Sequence, residues 1–229
     1  MAAASMVDFL ADTIKCLSPQ KVSLSCTEKD IRISGEKNTE LYISIGRSAM
    51  FNKFLGSVKL RASDFTKILR ECTLFCDIDF SVEDGKARLF VDDGSGCELF
   101  MDCPLEETDP INPPAFTPQT VFDLNTQMLK DIHTEEACTV EFLLENTFLR
   151  ITTTGEIKTV AEQKVTEGFL KRETTQKIFI ISSEAFLAVT SICRLLPTRV
   201  LMAVEKHLCA FYFYFKDATV ILYSQGNLV

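Results

Sequence analysis

Four aspartates in the first half of the chain have a spacing that could support hydrolysis. Asp77 and Asp79 stand two residues apart in an alternating stretch, and Asp92 and Asp93 follow a second such stretch. Alternate residues of a strand share one face, so the acids could hold divalent metal ions for a nuclease. The same alternation is typical of a half-buried strand, and Asp92-Asp93-Gly94 is typical of a hairpin turn. We favour the structural interpretation and predict that the protein is not an enzyme, with a metal-dependent exonuclease as the alternative.

The nine cysteines form a second candidate site. Cys72, Cys76, Cys97 and Cys103 make a loose set that lacks the close pairs of a structural zinc site, and neither His133 nor His207 is near them in sequence. The chain also has no glycine-rich phosphate loop. We predict buried, reduced thiols in a reducing compartment, with no metal and no cofactor.

The composition of the chain narrows the classes of protein to which it could belong. The chain has 229 residues, 46% hydrophobic and 24% charged, with a net charge of −8. Its longest apolar run, Cys209–Phe215, is far shorter than the ~20 residues that a membrane helix needs. The first residues lack the basic segment of a signal peptide, and Asp8 and Asp12 interrupt them. We expect an intracellular protein without membrane contact. Its acidity does not suggest nucleic-acid binding, although one face can differ from the whole.

An internal repeat reveals the elements that carry these residues. With an offset of about 118 residues, Val22–Ser34 aligns with Val140–Thr152 without a gap. The buried stripe of the preceding helix aligns too, and Ser63 and Ser183 are the predicted N-caps of a second helix in each half. The sequence therefore predicts an α+β fold of two similar halves, each an antiparallel sheet with two helices on one face.

The element boundaries follow from periodicity and turn residues. Helices are predicted over residues 6–17, 63–75, 125–134 and 183–196. Five of the seven prolines fall between Pro104 and Pro118, so this segment cannot be a helix or lie inside a sheet. We predict a first domain over residues 1–104, a connector over 105–120 and a second domain over 121–229.

The layout resembles one subunit of a DNA sliding clamp, the superfamily that includes proliferating cell nuclear antigen (PCNA). Ala49-Met-Phe-Asn-Lys-Phe54, before the Ser63 helix, resembles the matching stretch of these clamps. The second half is similar to the Rad-one subunit of the nine-one-one checkpoint clamp. Three stretches carry this likeness: Phe148–Glu156, Val165–Lys171 with the following Lys177-Ile-Phe-Ile, and Cys103–Thr108.

One feature departs from the family pattern. Clamp subunits begin with a β-strand before the first helix, and here only residues 1–5 precede the predicted helix. We expect that strand to be very short or absent, which would leave an unpaired edge in the first sheet.

The resemblance implies that the helices line a hole through which duplex DNA passes. Lysine and arginine there contact phosphates without reading bases. The predicted DNA-facing residues are Lys15, Lys67, Arg70, Lys130 and Arg194. Asp8, Asp12, Glu71 and Asp131 share these helices, so an ordinary solvated face of mixed charge is the competing interpretation.

The resemblance also implies contacts with other proteins. Subunits of the family join by pairing edge strands, here residues 97–103 and 156–162. The predicted interface residues are Cys97, Leu99, Met101, Ile157, Thr159 and Ala161. Partner peptides dock beside the connector, and the matching pocket residues are Ile111, Phe116, Leu208 and Tyr223. Plain edge strands and connector side chains packed into their own core are the alternatives.

The resemblance therefore implies a nuclear, non-enzymatic ring subunit that encircles double-stranded DNA and recruits checkpoint or repair proteins. Its expected partners are two other clamp subunits and a clamp loader. Within the family the alternative is a homotrimeric, PCNA-like replicative processivity factor. Outside it, the alternatives are the exonuclease and an interaction module that never closes a ring.

Overall fold

The chain folds as two compact units in the computed structural model. The first comprises residues 1–113 with 216–219, and the second comprises 114–215 with 220–229. The structure describes residues 3–17, 19–27, 30–36, 39–46, 56–71, 77–83, 86–92, 98–104, 106–134, 138–145, 148–164, 169–171, 177–216 and 218–228. The division at Pro113 lies inside the predicted connector.

In the residues that the structure describes, the first unit has two helices and eight strands. In chain order these are α1 (Ala3–Leu17), β1 (Lys21–Cys26), β2 (Asp30–Glu36), β3 (Thr39–Gly46), β4 (Gly56–Arg61), α2 (Ala62–Glu71), β5 (Asp77–Glu83), β6 (Lys86–Asp92), β7 (Glu98–Pro104) and β8 (Glu106–Glu107). Antiparallel pairing gives the orders β3-β2-β1-β4-β8 and β5-β6-β7. Helices α1 and α2 pack on each other, and α2 packs on β1 and β4.

The second unit repeats this plan with one strand more. Its elements are β9 (Thr120–Asp123), α3 (Thr126–Asp131), β10 (Thr139–Leu144), β11 (Phe148–Thr154), β12 (Lys158–Lys164), β13 (Phe169–Lys171), β14 (Lys177–Ser182), α4 (Ser183–Cys193), β15 (Arg199–Glu205), β16 (Leu208–Tyr214) and β17 (Ala218–Leu228). Neighbouring strands follow the order β12-β11-β10-β14-β17-β16-β15-β9-β13. Helix α4 packs on β10, β14 and β16.

The strand registers of the two halves match, which confirms the predicted α+β fold. Leu24 lies opposite Ile33 in the first half, and 118 positions later Phe142 lies opposite Ile151. Farther along, Val58 lies opposite Glu107, and Phe179 lies opposite Leu228, an offset of 121. The second half thus has three more residues between its third and fourth matching strands. The insertion lengthens a connection and leaves the register among the four matching strands unchanged.

Both predicted serine caps are wrong by a small shift. Ser182, with extended backbone angles (φ −69°, ψ 150°), caps α4, and its Oγ accepts a hydrogen bond from the Ala185 N–H at 3.2 Å. Helix α2 begins at Ala62, so Ser63 lies in its first turn. In each case the last strand residue leads directly into the helix, and the sequence does not mark where the backbone changes conformation.

Two second-half helices end earlier than predicted. Helix α3 ends at Asp131 because Ile132 returns to extended angles (φ −73°, ψ 121°). Helix α4 ends at Cys193, and three residues later Leu196 adopts a positive φ of 60° before Pro197. Proline disfavours helical geometry in the residue before it, which explains the early stop. The predicted end of α2 at residue 75 lies outside the described residues.

The starts of the two halves differ. Strand β9 precedes α3 and pairs with both β15 and β13. Helix α1 already begins at Ala3, and the two residues before it are outside the described part of the chain. The connector also contributes β8, a two-residue edge strand on β4 that the sequence analysis did not predict. No helix in the described ranges is long and apolar enough to cross a membrane.

Candidate nucleic-acid interface

Three of the five predicted DNA-facing residues lie along one cleft between α1 and α2. The cleft has a volume of about 540 Å³. Its lining residues are Ile14, Lys15, Pro19, Ala62, Ser63, Thr66, Lys67 and Arg70. The side chains of Lys15, Lys67 and Arg70 are all exposed. The structure therefore gathers residues that are more than 50 positions apart in sequence into one basic surface, which we call the helix cleft.

Helical periodicity explains this arrangement. Helix α2 buries Ala62, Phe65 and Leu69, which fall on one face at intervals of three and four residues. Lys67 and Arg70 are three residues apart on the other side. Such a spacing brings both cations to one part of the helix surface.

The chemistry of the helix cleft suits phosphate groups. It combines three cationic side chains with the hydroxyls of Ser63 and Thr66, and none of its described lining residues is acidic. Asp8 and Asp12 are exposed elsewhere on α1. Contacts of this kind carry no base information, so the surface would bind a nucleic-acid backbone without sequence preference.

The remaining two predicted residues lie on α3 and at the end of α4 in the second half. Lys130, on α3, is half-buried, and its charge acts on the Cys193 thiol. Burial raises the pKa of Cys193 to about 12, and Lys130 opposes part of that rise. Arg194 is exposed at the C-cap of α4, where its backbone N–H donates to the Ser191 carbonyl at 3.1 Å.

Helix α4 itself is largely enclosed. Of its residues, only Glu184, Leu187 and Ser191 are half-buried, and the others are buried. These three residues recur at intervals of three and four, so they form the outward face of the helix. That face carries no lysine or arginine.

Side-chain bonds at the start of α3 tie that helix to β12. The Asn125 side chain caps α3 by accepting from the backbone N–H groups of Gln127 and Met128 at 2.9 and 3.2 Å. The Gln163 side chain, on β12, accepts from the Asn125 N–H at 2.8 Å and donates to the Asp123 carbonyl at 3.0 Å. Arg199 holds the Asp123 carboxylate through two bonds of 2.7 Å, which raises the pKa of Arg199.

The predicted interface strand of the second half is displaced by two residues. Strand β12 begins at Lys158, because residues 155–157 form a bend, so Ile157 precedes the strand. Thr159 and Ala161 are half-buried on β12. Ile157 (60% exposed) and Val160 (49%) are exposed apolar side chains at the start of β12, and the sequence analysis did not name Val160. On β12 the predicted interface residues Thr159 and Ala161 alternate with the exposed Val160.

In the first half, the matching strand is β7. Leu99 and Met101 lie on it, opposite Val91 and Leu89 of β6, and Cys97 is outside the described residues. Within the described ranges, β7 pairs with β6 and β12 pairs with β11. Each strand is the last of its pairing order in the part of the chain that the structure describes.

The four predicted partner-pocket residues occupy different places. The Phe116 ring lies edge-on to Tyr223 with centroids 6.1 Å apart, and both belong to the second unit. Leu208 lines a separate cavity of about 920 Å³ formed by β14, the turn at 205–207 and the end of β17. Ile111 is buried in the first unit, where its carbonyl accepts a bond of 3.2 Å from the Arg32 guanidinium.

The acids and thiols show no metal-site geometry within the described ranges. Asp77 lies opposite Asp92 in the pairing of β5 with β6, Asp79 lies opposite Phe90, and Asp93 is outside the described residues. No group of three His, Cys, Asp or Glu in the described part of the chain could hold a metal ion. Cys72 and Cys76 also lie outside the described residues. Cys138, Cys193 and Cys209 are buried free thiols, and burial raises the pKa of Cys209 well above its ordinary value.

Comparison with known proteins gives a likeness of fold. No model of a known protein family matches the chain, and no curated protein matches it in sequence. The PCNA2–PCNA3 complex from Sulfolobus tokodaii matches with 15% identity and a TM-score of 0.71, over 99% of this chain and 97% of that one. PCNA from Thermococcus kodakaraensis matches with 11% identity and a TM-score of 0.71, over 99% and 98%. PCNA from Entamoeba histolytica matches with 13% identity and a TM-score of 0.73, over 98% and 96%. The chain therefore has the fold of the PCNA clamps over nearly its whole length.

Proposed function

We propose that this chain is a subunit of a ring-shaped sliding clamp that encircles double-stranded DNA. The observation that carries the proposal is the helix cleft: three exposed cations meet on the outward helix surface of a chain with the PCNA fold. Cations on that surface would attract the phosphates of a duplex held inside the ring. Retention would come from topology, so the contacts need not be tight or specific.

In this proposal the chain acts as a tether and does not catalyse a reaction. The chain would hold other proteins on DNA and would need neither a metal ion nor a cofactor. Recruited peptides would dock where Phe116 packs on Tyr223, or in the cavity lined by Leu208. Both places offer apolar side chains near the connector or the last strands, as a docking peptide requires.

Ring closure would use the two terminal strands, β7 and β12. Strand β12 supports this role because it offers a backbone edge together with the exposed side chain of Val160. A strand from a neighbouring subunit would satisfy the hydrogen-bonding groups of that edge and cover the valine.

For the finer assignment, we propose the Rad-one-like subunit of a heterotrimeric checkpoint clamp in the nucleus. The support is the sequence similarity of Phe148–Glu156 and of the start of the connector. In this role the chain would join two different clamp subunits, require a clamp loader, and recruit checkpoint or repair proteins. A homotrimeric replicative clamp is the second candidate, because the same terminal strands could join identical subunits.

Two measurements test the proposal at both levels. Light scattering on the purified chain should give a monomer for a heterotrimeric subunit, and a stable trimer would favour the replicative clamp. The assembled complex, isolated through this chain, should stay on closed circular DNA and dissociate when the circle is cut. Equal retention on circular and linear DNA would contradict encirclement in either form.

A further inference from the structure

A small polar recess lies on the outer face of the first sheet, away from the helices. It has a volume of about 180 Å³ and is lined by Gln20, Lys21, Ser23, Ser34 and Lys59. The register explains how they meet, because Ser23 on β1 lies opposite Ser34 on β2 and opposite Lys59 on β4. We call this site the outer recess.

Alternation along the strands fixes the face on which the outer recess lies. Strands β1 and β4 bury Val22, Leu24, Val58 and Leu60, and α2 packs on these two strands. Lys21, Ser23 and Lys59 alternate with those residues and therefore project from the opposite face. The outer recess is thus separated from the helix cleft by the thickness of the sheet.

The shape of the outer recess comes from its side chains. Two serines, Ser23 and Ser34, and two lysines, Lys21 and Lys59, line it together with Gln20. Serine hydroxyls donate hydrogen bonds, and each lysine ammonium has three donors. A site with these groups favours an anion that has several acceptor oxygens.

A carboxylate of the chain itself already lies at the outer recess. Lys21 Nζ donates to Glu106 Oε1 at 2.7 Å, and Glu106 lies opposite Lys59 in the pairing of β4 with β8. The hydrogen bond from Lys21 and the charge of Lys59 together lower the pKa of Glu106. The two lysines therefore act on one anion.

This internal ion pair is easily displaced. The Lys21 side chain is 46% exposed and that of Glu106 is 63% exposed, so water competes for both groups. Exposed ion pairs add little to stability. A phosphate ester carries up to two negative charges and three acceptor oxygens, which match two ammonium groups and two hydroxyls better than one carboxylate does.

We propose that the outer recess binds a phosphoserine or phosphothreonine in an extended segment of a partner protein, and that Glu106 occupies the site when the partner is absent. The inference does not depend on ring closure or on DNA binding, because it uses the opposite face of the sheet. It adds a recognition site that would respond to phosphorylation of the partner.

The test measures binding of a fluorescein-labelled nonapeptide with one central phosphoserine among glycine, alanine and serine to the full chain. Fluorescence anisotropy should show binding at least about tenfold tighter than for the unphosphorylated peptide, because charge-assisted bonds are the strong ones. Lys59→Ala should weaken binding by about tenfold, and Lys59→Arg should retain most of it. Glu106→Gln should tighten binding, because the competing carboxylate is removed.

Lys216→Ala is the matched control, since it removes an exposed lysine of the same unit that lines neither the outer recess nor the helix cleft. It should leave peptide affinity unchanged, and circular dichroism should show that all variants are folded. Equal binding of the two peptides would overturn the proposal, as would an unchanged affinity in Lys59→Ala or a weaker one in Glu106→Gln. If a short DNA duplex binds at Lys59 and thereby displaces the peptide from the wild-type protein, the recess is assigned to nucleic acid instead.

Discussion

Helices α2 and α4 hold matching positions in the two halves but present different surfaces. Both begin directly after a strand that pairs with β1 in the first half or with its counterpart β10 in the second. The sixth residue of α2 is the exposed Lys67, and the sixth residue of α4 is Ala188, which is 2% exposed. The fourth residue of each helix is a buried phenylalanine, Phe65 or Phe186.

This difference between α2 and α4 shows which helix positions the duplicated fold constrains. The inward positions must fill a core against the sheet, so both halves keep large apolar side chains there. The outward positions carry no such requirement, so the matching ninth residues of the two helices, Arg70 on α2 and Ser191 on α4, can differ in charge.

The largest effect is expected from exchanging the sixth residues of the two helices. Ala188→Lys would bury an unpaired ammonium group and should lower the free energy of unfolding by about 3 kcal/mol or more. Lys67→Ala, the reverse change at the matching position, should alter it by no more than about 0.5 kcal/mol. Urea denaturation measures both values. Similar small changes in the two variants would show that α4 is as open as α2.

Thiol chemistry gives a second contrast between the helix pairs. Cys16 near the end of α1 is half-buried, whereas Cys193 at the end of α4 is buried with a pKa raised to about 12. At pH 8, iodoacetamide should modify Cys193 at least about a hundredfold more slowly than Cys16, because only the thiolate reacts. Peptide mass spectrometry measures the two rates, and equal rates in the folded protein would refute the enclosure of α4.

The raised pKa of Cys193 also predicts a pH dependence. Above about pH 9 the unfolded thiol loses its proton, whereas the folded thiol keeps it until about pH 12. The folded state then binds more protons, so the contribution of Cys193 to the free energy of unfolding decreases as pH rises through this range. Cys193→Ala should reduce that decrease, which urea denaturation at pH 8 and pH 10.5 would detect.

DNA retention tests the functional side of the comparison. Reversing Lys15, Lys67 and Arg70 to glutamate in the assembled ring should lower the salt dependence of DNA binding by about three units of slope, near one per phosphate contact. Lys130→Glu with Arg194→Glu should lower it by less, because Lys130 is half-buried. Retention on circular duplex at several salt concentrations gives both slopes. A larger loss in the second-half variant would reverse the assignment.

The smallest effect should come from adding a cation to α4. Ser191 is half-buried on the outward face, so Ser191→Arg can place its guanidinium in solvent. If that face lines the hole, the salt dependence should rise by about one unit of slope. Ser23→Arg, on the far side of the first sheet, serves as the control and should leave the slope unchanged. An unchanged slope in Ser191→Arg would place the outward face of α4 away from the DNA.

The repeat was readable from sequence because it lies in local apolar patterns. The pairs Leu24–Ile33 and Phe142–Ile151 belong to hairpins of adjacent strands, whose register follows from alternation. The exposure of Lys67 and Arg70 was also predictable, since a single helix period places them away from the buried Phe65 and Leu69.

The depth of burial was not readable from the same patterns. Lys130 has the periodicity of an exposed residue, yet it lies close to the enclosed end of α4. The exposure of Val160 could be recognised only in the structure, where the bend before β12 determines which alternate residues of the strand are exposed. The outer recess depends on the pairing of β1 with β4, whose paired residues are at least 30 positions apart in sequence. Such sites require tertiary information.

The Gln163 side chain gives the second half a mechanical property. Its side-chain amide forms hydrogen bonds with the backbone on both sides of Leu124: it donates to the Asp123 carbonyl and accepts from the Asn125 N–H. Asn125 in turn caps α3, so side-chain hydrogen bonds connect the terminal strand β12 to the first turn of α3. A force that pulled β12 away from a neighbour would reach α3 through two hydrogen bonds. Displacement of β12 would therefore strain the backbone that leads into α3.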